Sequence, residues 1–92
     1  MSNDPKPVPF VKVKRVQTGV RLEHKMLKVL KALAEYYEMS LGDLLEGIVL
    51  HAFEGKSPFD QEGIRRIEAL KQIYDMPYDA SNSHRFVEAD NA

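Results

Sequence analysis

The sequence contains no cysteine and no tryptophan, and it has no long apolar run. Without cysteine the chain forms neither a disulfide nor a thiolate metal site, so a small fold depends on packing alone. No apolar stretch approaches the roughly 20 residues that span a bilayer. The first ten residues also lack the apolar core of a signal peptide. We therefore expect a soluble, cytoplasmic protein.

The chain also lacks the groups of residues that catalysis and metal binding require. It offers no nucleophile beside a base, no glycine loop for a phosphate and no paired carboxylates. His51 has Glu54 three residues on, which is half a metal site at best, while His24 and His84 lie far away in sequence. We expect no enzymatic activity, no cofactor and no bound metal.

What the chain does have is an uneven distribution of charge. It has 92 residues and a net charge of −1, enough for one small domain with tails. Residues 1–31 hold eight basic against two acidic residues, whereas residues 32–92 hold five against twelve. A basic front and an acidic rear predict a polyanion-binding end joined to another function. The alternative is chance clustering on solvated faces.

The front of the chain divides into an arm and a predicted strand. Residues 1–14 contain three prolines and several lysines, which indicates a flexible basic arm. From residue 15 the side chains alternate as in a strand with two faces. The apolar face holds Val16, Thr18, Val20 and Leu22, and the polar face holds Arg15, Gln17, Gly19 and Arg21. The chain contains no second strand of this quality, although a lone strand leaves its backbone groups unpaired.

After the predicted strand, the apolar residues recur at the spacing of a helix. A first helix is predicted over residues 24–38, and a second begins after Ser40, a good N-cap. The second helix has a wide apolar stripe, typical of a buried dimer core, and ends at Gly55. A third helix is predicted within residues 56–76, with Ser57 as N-cap and Pro58 at its first position. Residues 77–92 are polar and predicted to be loosely ordered.

A basic strand followed by two amphipathic helices within residues 15–55 resembles the ribbon-helix-helix family of DNA-binding repressors. The resemblance implies a mainly α chain with one N-terminal β-strand. It also implies an intertwined homodimer in which two such strands form an antiparallel ribbon inside the DNA major groove. This would provide the missing partner strand. The implied dimer core consists of Val16, Thr18, Val20, Leu22, Leu44, Leu45, Ile48, Val49 and Phe53.

The resemblance also assigns residues to double-stranded DNA. Gln17, Gly19 and Arg21 take the base-contacting positions, where arginine suits guanine and glutamine suits adenine. Ser40 matches the family's phosphate clamp at a helix N-terminus. The expected phosphate contacts are Lys12, Lys14, Arg15, Ser40 and Leu41. Several residues depart from the family. Gly19 offers no side chain to a base, and Asp43 repels a phosphate at the clamp. Glu38 replaces a glycine of the turn, and Leu41 and Gly42 replace polar or basic residues beside the clamp.

A second function stays open. The acidic region 57–92 could bind a partner protein, as the C-terminal segments of antitoxins in this family mask a toxin. The candidate docking face is the apolar stripe of the third helix, made of Ile64, Ile67, Leu70 and Ile73. The alternative is that this stripe packs onto the chain's own core. A protein-interaction module therefore stands beside the leading hypothesis, a homodimeric transcriptional repressor.

Overall fold

The computed structural model describes residues 8–89, in which three helices of equal length follow a segment without regular secondary structure. Helix α1 spans His24–Tyr36, α2 spans Leu41–Phe53 and α3 spans Gln61–Ile73, each with 13 residues. A short 3-10 turn, Ala80–Asn82, lies in the C-terminal part. Residues 8–22 form neither helix nor strand, and we call them the front segment. Part of the predicted flexible arm, residues 1–7, lies outside the described residues.

The predicted strand at residues 15–22 is wrong, and with it the ribbon-helix-helix architecture and its intersubunit β-ribbon. Between residues 8 and 89 the structure contains helices and no β-strand, so only the mainly α part of the predicted fold is confirmed. A strand exists only where a neighbouring strand accepts and donates its backbone hydrogen bonds. Within residues 8–89 no such neighbour lies beside the front segment, and its backbone pairs with no strand.

The first two helices begin at side chains that accept hydrogen bonds from unpaired backbone amides. Both carboxylate oxygens of Glu23 accept, one from the amide of Met26 at 2.8 Å and one from Lys25 at 2.9 Å. The Ser40 hydroxyl accepts from the amide of Asp43 at 3.1 Å, which confirms the predicted N-cap of α2. These bonds satisfy donors that a helix leaves free in its first turn.

Helix α3 begins later than the sequence predicted. The cap is Asp60, whose Oδ1 accepts from the amide of Gly63 at 2.8 Å, and not Ser57. The Ser57 hydroxyl instead donates to the carbonyl of Phe59 at 2.9 Å, two residues on. Serine competes for local backbone groups in this way, and the resulting turn precedes the helix.

All three helices end at a residue with positive φ, and only one of these is a glycine. The residues are Glu38 (56°), Gly55 (68°) and Asp75 (52°). After each of them the next amide turns back to a carbonyl in the last helical turn, as Met39 does to Ala34 at 3.0 Å. Gly55 ends α2 as predicted. Glu38 and Asp75 adopt the same conformation at a conformational cost that glycine avoids.

The core is small and centred on α1. Leu33 is the most deeply buried side chain, at 1% exposure, with Val29, Ala34 and Leu44 also buried. The partly buried apolar residues packed on this core are Leu30, Ile48, Phe59, Ile67 and Leu70. Both α2 and α3 pack against α1, and α3 does so more extensively. So few buried side chains provide little stabilisation for a chain of this length.

Helices α1 and α3 run antiparallel and are joined at both ends. At one end the Lys25 Nζ donates to the backbone carbonyl of Asp75 at 2.9 Å. At the other end the Arg66 guanidinium lies 4.8 Å from the centre of the Tyr36 ring. There α3 approaches closely through Gly63, because a Cβ added to it would lie 2.8 Å from the Tyr37 hydroxyl and 3.1 Å from the Phe59 Cβ.

The chain beyond α3 turns back toward the front of the molecule. The rings of Tyr78 and Phe86 meet edge to face with 5.0 Å between their centres. Asp79 caps the 3-10 turn, and its side chain and that of Asn82 form a reciprocal capping box. Within residues 8–89, no helix has the length and apolar character needed to traverse a lipid bilayer.

Candidate nucleic-acid interface

The front segment is exposed along its whole length. The predicted base-contacting residues Gln17, Gly19 and Arg21 all lie at the surface, and the Arg21 side chain is 89% exposed. Val16 and Val20, on the opposite face in the sequence pattern, are 75% and 74% exposed. Both faces of the segment are therefore open to solvent, and the chain's own helices do not cover its apolar side.

Arg15 attaches the front segment to α2. Its Nε and a terminal guanidinium nitrogen donate to the two carboxylate oxygens of Glu46, at 3.0 Å and 2.9 Å. The hydrogen bonds from Arg15 hold the pKa of the Glu46 carboxyl below its ordinary value. Such a bidentate pair fixes the relative orientation of the two side chains more closely than a single hydrogen bond does. Arg15, predicted to grip a phosphate, is thus already occupied by a carboxylate.

A groove between the front segment and the start of α2 brings predicted phosphate contacts together. Lys14 and Arg15 line one side of it, and Ser40 lines the other. The groove also receives the carboxylates of Asp43 and Glu46, so two anions offset its two cations. Leu41, the first residue of α2, is half-buried, and Lys12 does not line the groove. The structure thus brings together three of the five residues predicted to contact phosphate. The carboxylates of Asp43 and Glu46 offset the positive charge of these residues.

The residues predicted for a dimer core divide into two groups. Leu44 is buried within the chain's own core, and Ile48 packs beside it. By contrast, Val49 is 43% exposed and Phe53 is 81% exposed. The third exposed apolar residue on this side of α2 is Leu50, at 63%. Helix α2 therefore presents an uncovered apolar face formed by Val49, Leu50 and Phe53.

Arg21 has a neighbour that sequence reasoning missed. One of its guanidinium nitrogens lies 3.6 Å from a carboxylate oxygen of Glu88, in the chain that returns after α3. The surrounding groove is lined by residues 21–24 on one side, and by Tyr78, Phe86 and residues 87–89 on the other. Sixty-seven positions separate the two partners, so no local pattern could have indicated the contact.

Two lysines of α1 and two tyrosines at its C-terminal end make contacts within the fold. Lys25 joins α1 to the end of α3, and the Lys28 Nζ lies 6.0 Å from the centre of the Tyr74 ring. Tyr36 and Tyr37 meet edge to face, with 5.1 Å between ring centres. These contacts fit a structural role better than the stacking of single-stranded bases.

One cleft of the chain is lined by three polar side chains that are hydrogen-bonded to the chain's own backbone. It has a volume of about 580 Å³ and lies between α2 and the turn that precedes α3. His51 Nδ1 is bonded to the Gly47 carbonyl at 2.7 Å, and Asp60 is bonded to the amide of Gly63. Ser57 is engaged with the backbone of Phe59. Across residues 8–89, no three histidine or acidic side chains come together to hold a metal ion.

Comparisons with protein-family models, with curated proteins and with solved structures each found no match to this chain.

Proposed function

We propose that this chain is a homodimeric, sequence-specific DNA-binding protein that represses transcription. The observation that carries the proposal is the front segment itself. Residues 8–22 form neither helix nor strand and are exposed, and they hold Lys12, Lys14, Arg15 and Arg21 with no acidic residue among them. A concentration of positive charge on an exposed segment attracts the phosphates of a nucleic acid.

Arg21 and Gln17 are the residues proposed to select the DNA sequence. Arginine donates two hydrogen bonds to guanine O6 and N7, and glutamine pairs in the same way with adenine N6 and N7. Gly19 lies between them, and a Cβ placed on it would meet nothing within 4 Å. The backbone there is free to approach DNA closely, which takes the place of side-chain contact.

Phosphate contacts are proposed to supply most of the affinity. Lys12 and Lys14 precede the sequence-selecting residues, and neither forms an ion pair within residues 8–89. The N-terminal amides of α2, at Ser40 and Leu41, offer a further anion site. We assign Arg15 a positioning role, because its bidentate pair with Glu46 holds the front segment against α2.

The uncovered face of α2 is proposed to form the homodimer contact. Leu50 and Phe53 expose 63% and 81% of their surface, although they are large apolar residues on a regular helix. The small core gives the chain a reason to bury more apolar surface by pairing. A symmetric dimer would place two front segments on a two-fold symmetric operator and block access of the polymerase. The proposal describes a binding protein in the cytoplasm, not an enzyme.

Binding of a partner protein at residues 57–92 remains the second candidate function. The packing of α3 is relevant to it, because α3 carries the predicted docking stripe. Ile67 and Leu70 pack against the core of the chain, so half of the predicted docking stripe is already in use. Ile64 and Ile73 are 44% and 68% exposed, which leaves only its two ends for a partner. This division favours α3 as a structural helix and DNA as the principal ligand.

The proposal is tested by binding of full-length variants to a duplex selected from a random-sequence library. Arg21→Ala should weaken binding to the selected duplex by about 1–3 kcal/mol, roughly 5- to 150-fold. It should weaken binding to unselected duplex far less. The matched control is Arg65→Ala, which removes an exposed arginine of α3 that pairs with Glu62. Equal effects of the two variants, or failure to select any sequence, would contradict sequence-specific binding by the front segment.

A further inference from the structure

The C-terminal residues lie beside the sequence-selecting end of the front segment. Residues 87–89 share a groove with Arg21, and Glu88 lies within 3.6 Å of its guanidinium. Between residues 8 and 22, Arg15 and Arg21 are the two residues whose side chains pair with carboxylates of the chain. Arg15 belongs to the anchor on α2. Arg21 is therefore a proposed DNA-binding residue whose guanidinium is already paired with a carboxylate of the same chain.

The path of the chain after α3 explains why Glu88 comes to this place. Asp79 caps the 3-10 turn, and the ring of Phe86 packs edge-on against Tyr78. These two contacts fold residues 78–86 into a local turn that directs the next residues toward Arg21. An isolated surface ion pair contributes little. A tethered carboxylate, however, acts at a high effective concentration, because it cannot diffuse away.

We propose that Glu88 is a built-in competitor of DNA for Arg21. This inference rests on the proposed DNA-binding function. The carboxylate of Glu88 and the O6 and N7 atoms of guanine would accept hydrogen bonds from the same guanidinium donors, so the two cannot bind Arg21 together in that geometry. DNA binding then requires displacement of the C-terminal residues. The tail thereby lowers affinity most for the selected duplex, whose binding depends most on Arg21.

Removal of the competing charge should tighten DNA binding. Glu88→Gln keeps the size of the side chain and should increase affinity about two- to five-fold at low salt. The matched control is Glu68→Gln, which removes the same charge from an exposed position on α3. An equal gain in both variants would show an effect of net charge alone and overturn the proposal.

The effect of Glu88 must also depend on Arg21. In an Arg21→Ala background, Glu88→Gln should leave DNA affinity unchanged, because the pair that it breaks no longer exists. A gain of the same size in both backgrounds would show that Glu88 acts on DNA directly and would overturn the proposal.

A spin label separates failure of this inference from failure of the proposed function. The chain has no cysteine, so Val87→Cys, at a 93% exposed position, gives a single labelling site in full-length protein. We expect the label to broaden the amide signals of Arg21 and Leu22 in the free protein, and DNA to restore them. If the free protein shows no broadening, or if the broadening persists at saturating DNA, then Glu88 does not compete with DNA for Arg21. The proposed DNA-binding function would still be supported in either case. Broadening without any DNA binding overturns the proposed function and the competitor together.

Discussion

The front segment and the helical body, residues 24–76, differ in what covers their apolar side chains. Both have a clear amphipathic pattern in the sequence. In the body that pattern buries Leu33 to 1% exposure, whereas in the front segment Val16 and Val20 stay about three-quarters exposed. A helix satisfies its own backbone and needs only a face to pack against, but an extended segment needs a partner for its backbone as well. Within residues 8–89, no element therefore covers the apolar side chains Val16 and Val20 of the front segment.

The largest effect is expected when part of each region is removed in turn. A chain that ends at Gly55 loses α3, and with it the contacts of Ile67 and Leu70 on the core. We expect this chain to lose its cooperative unfolding transition, whereas deletion of residues 1–14 should leave that transition in place. Thermal unfolding followed by circular dichroism measures both.

The opposite result would change the account of α3. If the chain that ends at Gly55 unfolds with unaltered stability, then α3 is not part of the body. Residues 57–92 would then be available to a partner protein, and the protein-interaction function would become the leading one.

A pair of point substitutions makes the same comparison at single residues. Leu33→Ala should lower the free energy of unfolding by about 2–5 kcal/mol, because it leaves a cavity at the most buried position. Val20→Ala should change it by less than about 0.5 kcal/mol at concentrations where the chain is monomeric. Urea denaturation gives both values. A large loss from Val20→Ala in the monomer would show that the front segment packs on the body after all.

A smaller effect is expected at the ends of the helices, where the body holds strain. Glu38→Gly should stabilise the chain by about 0.5–1 kcal/mol, because Glu38 has a φ of 56° that glycine adopts freely. Gly55→Ala is the matched control and should destabilise by a similar amount, since its φ is 68°. Urea denaturation again measures the two changes. The same sign for both would contradict a conformational origin.

The smallest effect concerns the anchor between the two regions. The pKa of Glu46 is lowered by its hydrogen bonds from Arg15, so the contact is fully formed above the ordinary pKa of glutamate. It is lost as the pH falls through the lowered pKa of the folded state. Carbon-detected NMR titration should show the pKa of Glu46 rise toward its ordinary value in Arg15→Ala. An unchanged pKa would mean that Arg15 does not hold the segment.

Sequence periodicity predicted the helices well, because their determinants are local. The apolar spacing and the Ser40 cap located α2, and Gly55 marked its end. The start of α3 was placed too early, because Ser57 and Pro58 are residue types typical of an N-cap and of a first helical position. The actual N-cap is Asp60. The predicted strand was wrong because alternation defines an apolar face and a polar face but cannot supply a partner strand.

Only part of the candidate site could be predicted from the sequence. The exposed, basic character of residues 12–21 follows from their composition. The carboxylates that hold two of their arginines do not, because Glu46 and Glu88 lie 31 and 67 positions away. Contacts at such separations arise from the path of the folded chain, which spacing within a short segment cannot indicate.

The most direct test of the account is a salt titration of binding by the full chain. One duplex carries the DNA upstream of the protein's own gene, and the control has a random sequence. We predict tighter binding to the upstream duplex, with an affinity that falls steeply as salt rises because several lysines and arginines release counterions from phosphates. Weak and equal binding to both duplexes, with little dependence on salt, would contradict the assignment of the front segment to DNA.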